Sequence, residues 1–336
     1  MPYRAARISA LLQPGLIARS RMPNTAGRVA ETVVKRNLFA LEDLAVRAQA
    51  QLYREAFNAI RETAEGAGTP DNAWQQRVNA GAERILKQLA QDVRTTAQKA
   101  LLAAFDTGYY GRAWVLDMMT RPDVPIKSPM VSLSQRPMLE AATYSDAAQL
   151  ETALRQWLAM YGDELDILIP QIRVAVSSGM TNGEGIDAIM RRVRSVMGVD
   201  TDRRFGPVGS AERRGYRANF NRVQVITRTV VNQASNQGAW EAYQRNADVV
   251  SGYSWVTARD ERACDRCAAL DGTTYKLTDT FRPPAHPNCR CTVMPVLSPD
   301  LQVRFSDPPR ETFEEWAQSR GIAGLWSFQP TMERLL

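Results

Sequence analysis

Histidine is almost missing from this chain. There is one, His286, in 336 residues, and the four cysteines all lie between Cys264 and Cys291. A single imidazole excludes the zinc-hydrolase patterns built on two or three histidines with a nearby glutamate. The deaminase signature, H-x-E ahead of P-C-x-x-C, does not occur either. Cysteines confined to one short stretch do not form the spread of bridges that staples a small secreted domain, so a reducing compartment with a metal is the simpler setting. No apolar run reaches membrane-spanning length; "LDILIPQIRVAV" is short and broken by Pro170 and Arg173. The glycines of "GMTNGEG" lack the Gly-Lys-Ser/Thr ending of a phosphate loop and read as a helix-capping turn. With no paired carboxylates and no nucleophile–base arrangement, the chain is not expected to be an enzyme.

What is present is an ordinary soluble profile, 44% apolar and 23% charged, long enough for two modest domains. The net charge of +6 suits an acidic neighbour such as nucleic acid, although a surplus this small over this length does not require one. The opening "MPYRAARISALLQPGLIARSRMPNT" is Arg-rich without acids; Pro14-Gly15 interrupts it and no cleavage pattern follows, so 1–24 reads as an extended arm. Over 25–120 apolar residues recur every three or four positions, predicting long helices: one ends at Gly66-Ala67-Gly68, and Asp71-Asn72 caps the next. Gly108-Tyr109-Tyr110-Gly111 is expected to break or kink that second helix. The region 121–165 combines a Pro/Ser-rich linker with a helix through Leu154, Trp157 and Tyr161. From 166 the pattern is helix, Gly-rich turn, helix, the second starting at Thr181 or Asn182, and then a helix from about Ala211 to Arg245.

After that the texture turns to alternation. "GYSWVTA", "LDGTTYKL" with its Asp271-Gly272 turn, and "CTVMPV" predict a small sheet within 252–297. The fold class is therefore mainly α with a small zinc-stapled β module (α+β). The tail, 298–336, carries one short helix, "ETFEEWAQSR", and the aromatics Trp316, Trp326 and Phe328, which can anchor on a partner or pack back on their own domain.

Cys264-x-x-Cys267 has zinc-knuckle spacing, and His286, Cys289 and Cys291 arrive after a hairpin's length of chain. Five donors compete for what are normally four positions. If 289–291 is extended, both sulfurs share a face and a four-thiolate site forms; a tight turn at His286 instead lets His286 join with Cys289 or Cys291. Buried apolar thiols and a redox pair are the competing readings. A redox Cys-x-x-Cys normally opens a helix in a βαβ setting, which the pattern lacks. The donor set favours Zn2+, fully ligated and closed to substrate, as a structural staple contributing about 10–16 kcal/mol to folding.

The residues Trp255, Thr257, Asp260, Arg262, Cys264, Cys267, Leu270, Asp271, Gly272, Pro283, Pro284, His286, Pro287, Asn288, Cys289, Arg290 and Cys291 form a combined motif. It resembles the phage Mu F-type head-morphogenesis, or minor capsid, family. The resemblance covers roughly 166–297; Thr229-Val230 departs from it, since many relatives show Thr-Glu there. It implies a structural virion component of a tailed phage or prophage, assembled in the host cytoplasm and located at the head or portal vertex. The implied partners are the portal or major capsid protein and, in some relatives, double-stranded phage DNA; low copy number is implied as well. The alternative function is a DNA-binding zinc module acting in packaging or ejection. Its contacts would come from the basic stretch Arg191, Arg192, Arg194, Arg203, Arg204, Arg213, Arg214, Arg217 and Arg222, with Arg213, Arg214, Arg217 and Arg222 the leading candidates for phosphate. A solvated helix face is the competing reading of the same arginines.

Overall fold

The structure, a computed structural model, describes residues 25–127, 145–199, 219–258, 263–298, 301 and 309–321. Its contacts divide the chain into two compact units: Met1–Glu42 with Leu101–Glu140 and Arg228–Pro330, and Asp43–Ala100 with Ala141–Thr227 and Thr331–Leu336. Three helices supply residues to both: α1 (Thr25–Gly66), α2 (Asn72–Met119) and, after α3 (Ser145–Asp166), α4 (Leu168–Thr181) and α5 (Ile186–Met197), α6 (Asn219–Arg245).

In the second unit, α1 and α2 turn back on each other as their apolar periodicity requires. The Asp71 carboxylate accepts the Trp74 amide at 2.6 Å, and the buried Trp74 indole donates to the Ala64 carbonyl at 2.8 Å. Leu154, Trp157, Tyr161 and Leu165 form the buried stripe of α3. Several buried polar groups there are joined by hydrogen bonds: Tyr161 donates to Thr227 Oγ1 at 3.1 Å, Thr227 donates to Gln49 at 2.7 Å, and Tyr53 donates to Asn219. The start of α5 differs from the expectation. Gly185, not Thr181 or Asn182, is its N-cap. Thr181 stays in α4 with its hydroxyl on the Ser177 carbonyl, and Gly183, at φ +67°, makes the left-handed step that ends α4 first.

In the first unit the expected break in α2 does not occur: the helix runs unbroken through Gly108 and Gly111 to Met119. The glycines serve packing instead. A Cβ on Gly108 would lie 1.9 Å from the Ser235 carbonyl oxygen of α6, and one on Gly238 would lie 2.2 Å from the Phe105 carbonyl oxygen. Two helix backbones therefore touch along a seam that no side chain can enter. Under them lies a three-stranded antiparallel sheet, order β2-β1-β3, with β1 Val250–Val256, β2 Thr274–Lys276 and β3 Thr292–Leu297. Pro295 is tolerated because β3 is an edge strand. Between β1 and β2 sits a short helix, α7 (Asp265–Leu270), and the last described helix is α8 (Phe313–Ser319).

The tail aromatic Trp316 packs on its own unit. It is fully buried, its ring lies beside Phe313, and its indole donates to Asp117 Oδ2 at 2.8 Å. The same carboxylate receives Arg310 (2.9 Å) and Arg320, and a Thr312–Glu315 capping box starts α8. Trp326 and Phe328 lie outside the described residues. No helix among the described residues is long and apolar enough to cross a membrane.

Candidate metal centre

The five donors predicted from sequence converge in the first unit. Cys264, Cys267 and His286 form one group able to hold a metal ion, and Cys267, Cys289 and Cys291 form another; within each, the ligand atoms lie within 4.8 Å of one another. Cys267 belongs to both. Local structure explains how each arrives. Cys264 is the N-cap of α7, so the Cys-x-x-Cys spacing puts Cys267 in its first turn and both sulfurs at one helix end. The motif thus does open a helix after a strand, which the sequence reading did not foresee. The strands around it, β1 and β2, are antiparallel neighbours, so this is not the βαβ setting of a redox pair.

His286 and Cys289 come from one tight turn. The Cys289 amide donates to the His286 carbonyl at 3.1 Å, and Asn288 takes the left-handed conformation (φ 58°) that asparagine tolerates best among side-chain-bearing residues. The turn is docked on α6, where Thr229 Oγ1 accepts the Asn288 amide at 3.0 Å. Next along the chain, the Cys291 carbonyl accepts the side-chain amides of Asn232 and Asn236, each at 3.2 Å. Farther along α6, Tyr243 donates to the Val293 carbonyl and Gln244 to the Leu277 carbonyl, while Arg282 stacks over Trp240 at 4.3 Å. From the other side, Glu31 of α1 accepts Thr292 Oγ1 at 3.0 Å and pairs with the buried Arg112.

The donors fit a metal. In a tetrahedral zinc site with sulfur ligands at about 2.3 Å, neighbouring sulfurs stand about 3.8 Å apart. Cys267 and Cys289 stand 3.8 Å apart, and His286 Nε2 is 3.2 Å from Cys264 Sγ and 3.0 Å from Cys267 Sγ. The four cysteines form no disulfide. Their protonation is strongly split. Burial pushes the Cys267 thiol up to about 12. The Cys291 thiol, hydrogen-bonded to Cys289 and buried, is pushed up further still, while the Cys289 thiol is held down at about 5 by its hydrogen bond from Cys291, against burial. Burial opposes charge on His286 also, but the Pro287 carbonyl and the neighbouring sulfurs of Cys289 and Cys264 raise its imidazole above the ordinary value. Of these three thiols only Cys289 is depressed; a bound cation would displace the protons of the others.

The sequence reading missed the supporting polar face of α6. Thr229, Asn232 and Asn236 are spaced three and four apart, and Asn232 and Asn236 are buried at 0% and 3% exposure. A pair of amides four apart beside the apolar Val230, Val231 and Ala234 was the available signal. Of the arginines proposed for phosphate, Arg213, Arg214 and Arg217 lie outside the described residues, as do Arg203 and Arg204. Arg222 pairs with Glu164 at 2.5 Å, Arg192 with Glu184 at 2.5 Å, and Arg194 lies 5.7 Å above the Phe57 ring.

A small antiparallel sheet whose loops gather sulfur and imidazole, backed by one long helix, is an arrangement that could hold a metal ion. Residues 170–294 of the chain, which include all five donors, match the family described as phage Mu protein F like protein. That stretch is similar to this family, as its motif led us to expect. No curated protein and no solved structure matches the chain.

Proposed function

We propose that the protein is a minor capsid component of a tailed phage, docking on the portal or inner capsid and acting without catalysis. The observation that carries this reading is the Mu F-like match over 170–294, together with the convergence within it of every cysteine and the single histidine on one cluster. Zn2+ held there would supply no reaction; fully ligated, it cross-links the α7 end to the His286 turn and so fixes loops that a three-stranded sheet is too small to hold by burial alone. The chain's own residues hold the turn (Thr229), the approach to β3 (Asn232 and Asn236) and the strand itself (Glu31, Tyr243). The result is a rigid surface module, which assembly requires and which a substrate pocket does not.

Purified virions test the reading directly. The protein should be found in heads at low copy number, and deleting its gene should leave defective or empty heads; normal heads without it would sink the proposal. DNA contact through Arg213, Arg214 and Arg217 is the finer alternative. It predicts salt-dependent binding of duplex DNA that charge reversal at these positions weakens, and unchanged affinity rejects it.

A further inference from the structure

Five donors surround a site that takes four, and the geometry chooses among them. We propose that the ion is held by Cys264, Cys267, His286 and Cys289, with Cys291 remaining outside the coordination shell as a buried residue that secures β3. This rests on the metal-binding reading above.

The first argument is the histidine tautomer. His286 Nδ1 lies 2.8 Å from the Pro287 carbonyl oxygen, which can only accept. Nδ1 therefore carries the proton, and the lone pair is left on Nε2, the arrangement found at metal-ligating histidines. That lone pair faces two sulfurs, Cys264 at 3.2 Å and Cys267 at 3.0 Å.

These three donors leave one corner, for which Cys289 and Cys291 compete: both sulfurs lie within 4.8 Å of Cys267 but not of all three donors, so the ion has to draw the fourth one in. Both also hydrogen-bond to Cys267, Cys289 across 3.8 Å, but only Cys289 shares its turn with His286, so the same backbone hydrogen bond and the same Thr229 anchor place both side chains. Cys291 is held differently. Its carbonyl is fixed by two amides of α6, and Thr292, the next residue, is already paired with Val256 in the sheet. On β1 the buried Trp255 indole N–H has no hydrogen-bond partner, and the Cys291 sulfur lies close enough to interact with it. Serine at 291 would keep an acceptor there, which makes Cys291→Ser a fair probe.

Zinc K-edge X-ray absorption on the full-length, zinc-loaded protein reads the shell without any substitution. The expected shell is three sulfurs at about 2.3 Å and one nitrogen at about 2.0 Å; four sulfurs overturn the assignment. Cobalt-substituted Cys291→Ser should keep one ion per chain and an unchanged sulfur-to-metal charge-transfer band, whereas Cys289→Ser and His286→Ala should lose the ion or change its spectrum. Loss of the ion from Cys291→Ser together with an unaltered His286→Ala spectrum also overturns it. Wild-type protein that binds no zinc removes the metal reading itself, an outcome separate from a wrong choice of ligands.

Discussion

Alanine at Gly108 sets two known effects against each other. In an isolated helix the change is favourable by about 1 kcal/mol. Here the new Cβ would stand 1.9 Å from the Ser235 carbonyl oxygen, with the Ser235 carbonyl carbon at 2.7 Å. Ordinary contact begins near 3.4 Å, so α2 and α6 must separate by well over an ångström, and the obstacle is backbone that cannot rotate away. Overpacking of this kind costs about 1–3 kcal/mol, more when backbone must move. The upper part of that range applies, leaving a net loss of about 2 kcal/mol and a fall in Tm of about 4–8 °C for a unit of this size. Gly66→Ala is the control: it ends α1 with nothing within 4 Å of the added Cβ, and it should leave stability unchanged or raise it by up to about 1 kcal/mol. Scanning calorimetry of both variants beside wild type measures the two together. If Gly108→Ala melts at or above the wild-type temperature, the contact between the two backbones is not what the fold relies on.

Three further perturbations probe other parts of the first unit. Asp117→Asn withdraws the charge that Arg310, Arg320 and the Trp316 indole share, at a cost of about 1.5–3 kcal/mol for a charged hydrogen-bond acceptor, and should expose 309–321 to limited proteolysis; undiminished protection would refute the clamp. Glu31→Gln leaves Arg112 buried without its anion, and chemical denaturation should show a loss of about 3–5 kcal/mol; a variant as stable as wild type would remove the pair from the account. In chelator-treated protein, the Cys289 thiol held at about 5 lies below its unfolded value near 8.5. The unfolded chain then binds the extra proton between those values, so the contribution of this thiol to stability should fall as pH drops from about 8 to 5. Cys291, pushed up, is protonated in both states across that window and adds no slope. His286, raised, takes up its proton on folding and contributes the opposite slope above its unfolded value of about 6.5, so the Cys289 contribution is read as the difference between wild type and Cys289→Ser. Equal slopes in the two proteins contradict a thiolate at Cys289.

The sequence by itself determined the helices of 25–120, the capping of α2 by Asp71, the three short strands and the five candidate metal donors. Each of these is written in local terms: a period of three to four residues, a side chain that satisfies its own helix end, an alternation, a spacing of sulfur and imidazole. The family resemblance was legible for the same reason, because its motif sits in loops whose residue types are constrained one by one. Only the tertiary structure decided that Gly108 lets α2 approach the α6 backbone rather than breaking the helix, since a glycine has no side chain to announce whether it serves a break or a close approach. It decided likewise that α4 ends at Gly183 before α5 can begin, and that Trp316 turns inward to Asp117. The choice between Cys289 and Cys291 depends on Thr229, Asn232 and Asn236, more than fifty residues away in the chain. Contacts of that separation carry no periodicity for a one-dimensional reading to find; they exist once packing has brought α6 against the sheet.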